Sequence, residues 1–163
     1  MKIFFAGTPD FAIPSLEILS KHFEIVGVLT QPASGKGRGQ KLADSPVKRE
    51  ALALGLKVLE PEDLNSTFLN EIKELRADLL VCVAYGKIFK NDFLNLFPYG
   101  GINLHPSLLP RHRGPAPIPA AILAGDAETG VTIQRLILKM DAGPILAQQK
   151  ISLSDNDTTE SLS

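Results

Sequence analysis

The sequence predicts an α/β fold: a mostly parallel sheet with helices on both faces and an antiparallel strand pair at the C-terminal end. Three observations carry this. Short apolar runs of strand length alternate with segments of helical period. The first three of those runs end in turn residues, as buried parallel strands do. Near the end of the chain, two strand-like runs flank a single short turn.

Each element follows in order. Residues 2–6, KIFFA, read as a buried strand leading into Gly7-Thr8-Pro9-Asp10. Residues 11–22 read as a helix, with Leu16 and Leu19 on one face and Pro14 in the first turn, where its missing N–H costs nothing. EIVGVLT (24–30) is the second strand and stops at Gln31-Pro32. Residues 45–55 carry a full helix signature: Ser45 as N-cap, Pro46 at the first position, Gly55 as stop. LKVLE (56–60) is the third strand, ended by Pro61. In 65–77, Phe68, Leu69, Ile72 and Leu75 form one helical stripe. DLLVCVA (78–84) is the fourth strand and GGINLH (100–105) the fifth. The pattern then changes to a helix over 114–125 and strands over 130–138 and 143–152, which pair antiparallel across residues 139–143.

Composition narrows the function. A chain of 163 residues holds one domain with a real core. A net charge of −1 gives no global field toward nucleic acid or membrane, so any such partner must be met by a local patch. No stretch approaches the ~20 apolar residues of a membrane span. The single cysteine, Cys82, lies between Val81 and Val83, and reads as a buried packing residue in a reduced, cytosolic protein. His22, His105 and His112 are scattered without metal-ligand spacing, so no metal is expected. One glycine in the first strand–helix turn is too little for a dinucleotide fingerprint.

Two stretches carry chemistry. Residues 31–49 hold glycines at 35, 37 and 39 with Lys36, Arg38, Lys41, Lys48 and Arg49 against Asp44 alone. This is either a solvated connection or a mobile phosphate-seeking arm. NLHPSLLP (103–110) places Asn103 and His105 two apart at a strand end, hence on one face. In open α/β sheets ligands bind beyond the carboxyl ends of strands. There an amide donates to a developing oxyanion and an imidazole moves a proton. The alternative is a turn-capping Asn and a satisfied, partly buried His. Asp141, in the Gly-bracketed KMDAGPI, is either a simple turn former or the carboxylate that orients a histidine.

Taken together, FAGTPDFA (5–12), the Gly-rich basic stretch with SPVK (45–48), VCVAYG (81–86), GINLHPSLLPRHRGPAPI (101–118), AGDAETGVTI (124–133) and KMDAGPIL (139–146) resemble the methionyl-tRNA formyltransferases, in order and over almost the whole chain. The wider 10-formyltetrahydrofolate-dependent family shares only the Asn-x-His and Asp set. The opening AGTPDFA and the basic stretch point to the tRNA enzymes. The resemblance implies a Rossmann-like formyltransferase fold. It also implies that the amine of methionine on initiator tRNA attacks the formyl carbon of 10-formyltetrahydrofolate. In that scheme Asn103, His105 and Asp141 are catalytic. Ser107, Leu108, Leu109 and Pro110 contact folate, and Lys36, Arg38 and Lys41 contact tRNA. A different transfer or deformylation by the same trio, or a fragment that only binds folate, is the alternative.

The sequence departs from the family at His112, where an aromatic residue is common, at Pro119, where glutamine usually follows API, and at Asp44. Residues 1–163 are expected to form the catalytic domain, incomplete at its C-terminal end and without the family's tRNA-binding β-barrel. A cytoplasmic monomer with no membrane partner is expected.

Overall fold

A computed structural model describes residues 1–36 and 41–163. The chain divides into two compact units, Met1–Gly101 and Ile102–Ser163.

The first unit is built on parallel strands. Strand β1 (Lys2–Gly7) is followed by a 3-10 turn (Asp10–Ala12) and helix α1 (Ile13–His22). Strand β2 (Glu24–Leu29) leads to a small hairpin, β3 (Ser34–Lys36) and β4 (Lys41–Ala43), then to helix α2 (Pro46–Ala53). Strand β5 (Val58–Leu59), helix α3 (Ser66–Glu74), strand β6 (Leu79–Val83) and helix α4 (Asn91–Leu94) complete it. The order is β5-β2-β1-β6, with each adjacent pair parallel. The central strand β1 is therefore apolar after Lys2, with Ile3, Phe4, Phe5 and Ala6 buried. Gly27 on β2 is required by packing: a Cβ there would lie 2.9 Å from the Phe4 ring. After β6, Tyr85, Phe89 and Phe93 stack at successive centroid distances of 5.4 and 4.7 Å, and Phe97 packs tilted against Phe93 at 5.5 Å and against Phe4 at 5.7 Å. Cys82 is buried in β6, as its apolar neighbours suggest.

The second unit is antiparallel. Strand β7 (Gly101–His105), whose first residue closes the first unit, leads to helix α5 (Pro117–Leu123) and to strands β8 (Glu128–Arg135) and β9 (Ile145–Ser152). Strand β8 pairs antiparallel with both β7 and β9, so the expected C-terminal strand pair forms.

Several bounds differ from the sequence reading. The third predicted strand shrinks to Val58–Leu59. The helix over 65–77 stops at Glu74, because Arg76 turns into the left-handed region at φ 49. Strand β8 begins earlier and ends at Arg135, whose N–H closes onto the Pro144 carbonyl at 2.9 Å and so starts the turn. The basic stretch is not an open loop at its flanks. Ser34, Gly35 and Lys36 pair antiparallel with Ala43, Leu42 and Lys41. Helix α4 carried no clear periodic signal. No helix among the described residues is long and apolar enough to cross a membrane.

Candidate active site

The site grows from the carboxyl end of β7. Asn103 and His105 lie two apart and share a face, opposite Gln134 and Thr132 of β8. Strand β8 is unusual in which residues it hides. Thr132 is fully buried and Gln134 is 2% exposed, while Val131 and Ile133 are only half-buried. Polar side chains buried at period two need partners. They find them in the loop and turn around His105.

His105 is 5% exposed. Its Nε2 lies 3.0 Å from the His112 carbonyl oxygen. A carbonyl only accepts, so this nitrogen carries the hydrogen. Its Nδ1 faces Asp141 Oδ1 at 3.6 Å, too long for a hydrogen bond and an ion pair when the ring is protonated. Asp141 is aimed by the fold rather than by the imidazole. The Gly114 N–H donates to Oδ2 at 2.8 Å, and the Gln134 amide donates to Oδ1 at 3.0 Å. Its backbone sits at φ 47, a left-handed conformation in which Asp is enriched. Asn103 is half-buried and makes no side-chain hydrogen bond among the described residues. The structure thus brings His105 and Asp141 together directly. Asn103 lies on the same strand face as His105 and in backbone register with Gln134, but no side-chain hydrogen bond ties it to the pair among the described residues.

The stretch Ser107 to Pro110 is held from within. Ser107 is fully buried and its hydroxyl donates to the Arg111 carbonyl at 2.7 Å. Thr132 donates to the Ser107 carbonyl at 2.6 Å, and accepts from the Leu109 N–H at 3.1 Å and from Gln148 at 2.9 Å. Gln148 also donates to the Leu109 carbonyl at 2.9 Å. The Leu109–Pro110 bond is cis. Leu108 packs over Gly130, where a Cβ would lie 2.9 Å from its Cδ2 and 2.0 Å from the Gln149 carbonyl. Of the four residues expected to meet folate, Ser107 and Leu109 are buried, Leu108 is half-buried and Pro110 is exposed.

A second carboxylate lies in the same unit. Asp126 accepts from Arg111 Nε at 2.8 Å, from Arg111 Nη2, and pairs with His112 Nε2 at 2.6 Å. Arg111 first, and His112 second, hold its carboxyl far below the usual carboxylate range. Sequence reasoning missed Gln134, Thr132, Gln148, Gly114 and Asp126. The alternation of Thr132 and Gln134 with apolar residues is the one local signal that marks any of them.

The expected tRNA contacts lie in the first unit. Lys36 and Lys41 are backbone partners in the hairpin, and Arg38 lies outside the described residues. The hairpin's base is tied down. Lys48 reaches Asp44 Oδ1 and Glu60 Oε2, each at 2.7 Å. Those two carboxylates, Asp44 first, raise its pKa above the ordinary lysine value. Among the described residues, no group of three or more His, Cys, Asp or Glu side chains is placed to hold a metal.

Comparison with known proteins adds the following. Residues 1–163 match the family model described as formyl transferase. The methionyl-tRNA formyltransferase of Treponema denticola is 50% identical over 170 residues, covering 99% of this chain and 53% of that protein. That of Bifidobacterium adolescentis is 48% identical over 165 residues, covering 99% and 52%. The chain spans about half the length of the curated relatives it matches. Phosphoribosylglycinamide formyltransferase of Bacillus halodurans shares the fold, with a TM-score of 0.80 at 24% identity, over 99% of this chain and 85% of that one. A sugar 3N-formyl transferase solved with dTDP and 5-N-formyl-THF gives 0.69 at 26% identity, over 99% and 56%.

Proposed function

The chain belongs to the formyl transferase family, and from that premise we propose that it is the catalytic part of an enzyme that moves a formyl group from 10-formyltetrahydrofolate to the α-amino group of initiator methionyl-tRNA. The observation that carries this reading is a buried His105 beside an Asp141 carboxylate fixed by two donors, with the uncommitted Asn103 amide on the same strand face.

The chemistry follows from those groups. The amine nitrogen bonds to the formyl carbon, and the carbonyl oxygen takes up negative charge. Asn103 donates a hydrogen bond to that oxygen, where a fixed donor acts most strongly. As the intermediate collapses, the bond from carbon to the folate nitrogen breaks. One proton leaves the attacking amine and one reaches the departing folate nitrogen. His105 carries them. Asp141 supports the ring while it is positively charged.

The donor is supported by the sugar formyl transferase solved with a formyl-folate, and the acceptor by the names of relatives near 50% identity. In the loop expected to meet folate, half-buried Leu108 and exposed Pro110 offer side-chain surface for it. Lys36, Arg38 and Lys41 would neutralise phosphates near the acceptor end of tRNA. Cys82, the single cysteine, fits a reducing cytosol, where the protein acts as a monomer.

The test follows labelled formyl from the donor. With methionyl-tRNA and a glycinamide nucleotide offered together, label goes to methionyl-tRNA. Label recovered on the nucleotide, or released as formate with no acceptor, would replace the proposed reaction with another of the same trio.

A further inference from the structure

The turn at residues 111–114 touches both members of the His105–Asp141 pair. Its His112 carbonyl takes the His105 Nε2–H at 3.0 Å, and its Gly114 N–H donates to Asp141 Oδ2 at 2.8 Å. His112 lies at φ 54 and Gly114 at φ 107, both left-handed. Histidine is among the residues enriched there, yet the conformation is uncommon for a residue with a Cβ, so the contacts around it decide whether the turn holds.

What holds it is Asp126. Its carboxylate receives the forked guanidinium of Arg111, with Nε at 2.8 Å, and the His112 ring at 2.6 Å. Fork geometry fixes direction as well as distance. The His112 and Asp126 side chains are 14% and 12% exposed, so the pair is largely shielded from water. Asp126 is itself anchored by its N–H to the Ala121 carbonyl at the end of α5, at 3.2 Å. From the other side, the Ser107 hydroxyl holds the Arg111 carbonyl at 2.7 Å. Two consecutive side chains are thus clamped by one carboxylate, and the main chain they belong to supplies the contacts of the pair.

We propose that Asp126 is a positioning residue: by clamping Arg111 and His112, it sets the His112 carbonyl and the Gly114 N–H, and through them the orientation of the His105 ring and of Asp141. Its role in transfer rests on the reading of His105 as the proton-carrying group. The clamp itself does not.

Nitrogen-resolved NMR of histidine-labelled protein tests it, with His105→Gln to assign the signal. In the unaltered protein the His105 Nε2–H is protected from exchange. Asp126→Asn keeps the shape but removes the charge. There the protection is lost and single-turnover formyl transfer slows roughly 10- to 100-fold, the scale of a misplaced reacting group, while donor affinity holds. Asp126→Glu recovers part of the protection. His112→Phe reads the same signal where Asp126→Asn fails to fold. The proposal is overturned if these variants leave the His105 resonances unmoved. It is also overturned if the rate falls only in step with donor affinity, the mark of a loop staple. If the unaltered protein transfers no formyl while Asp126→Asn still shifts the His105 signal, the enzymatic reading fails and the clamp stands.

Discussion

Gln134 shows how much a single buried amide decides. Its nitrogen donates to Asp141, while its Oε1 is buried without a partner among the described residues. Gln134→Leu removes a donor from the carboxylate together with an unpaired acceptor. Stability should change by no more than about 1 kcal/mol, since the two effects oppose. Transfer should slow roughly tenfold, part of the ~10²–10⁴ that a positioned proton-transfer group contributes. Urea unfolding and kcat read the two separately, and equal losses in both would contradict the assignment. Tyr85 gives a pH prediction. Its hydroxyl is buried and unpartnered among the described residues, and burial first, then Cys82, pushes the phenol up to about 12. Between the ordinary tyrosine value and that one, the folded chain binds more protons than the unfolded chain, so stability falls as pH rises through the window. Tyr85→Phe should flatten the decline in urea midpoint between about pH 10 and 12 and cost little at neutral pH. An unchanged alkaline decline would show that other groups cause it.

At the scale of elements, caps and strand ends were the legible features. Ser45 caps as its sequence signature indicates, accepting from the Lys48 N–H at 3.0 Å, and Asn65 caps the next helix, accepting from the Phe68 N–H at 3.1 Å. They are not equivalent. Ser45 is buried and its hydroxyl also meets Thr30 Oγ1 at 2.6 Å, whereas Asn65 is exposed. Asn65→Ala should cost about 1 kcal/mol. Ser45→Ala should cost more, by about another 1 kcal/mol for the buried hydroxyl left behind. Thermal unfolding that ranks them the other way would contradict the buried pairing. The β3–β4 hairpin and α4 escaped because glycines and charges mask strand propensity, and four residues are too few for a helical period. In the site, His105 was visible at a strand end and Asp141 in a turn. Gln134, Thr132 and Asp126 were not, because their partners are 7 to 25 positions away and are chosen by how β7, β8 and the loop fold together.

For the molecule as a whole, the parallel first unit and the antiparallel β8–β9 pair were readable because apolar runs, turn residues and helix caps all agreed. That consistency across levels is what makes a fold legible. The candidate trio was readable for a different reason. Asn103 and His105 lie on one strand, and Asp141 lies in a turn that closes the next pair of strands. The exposed character of β9, where Ile145, Leu146 and Ile151 are 46, 53 and 46% exposed, had no local signature at all. A single-turnover experiment decides whether Asn103, His105 and Asp141 act together in transfer. Saturating 10-formyltetrahydrofolate and methionyl-tRNA are mixed with the protein and with Asn103→Ala, His105→Ala and Asp141→Asn, and donor binding is measured on each. All three variants should bind the donor and transfer formyl about 100-fold or more slowly. Transfer at the unaltered rate by His105→Ala would contradict that joint role.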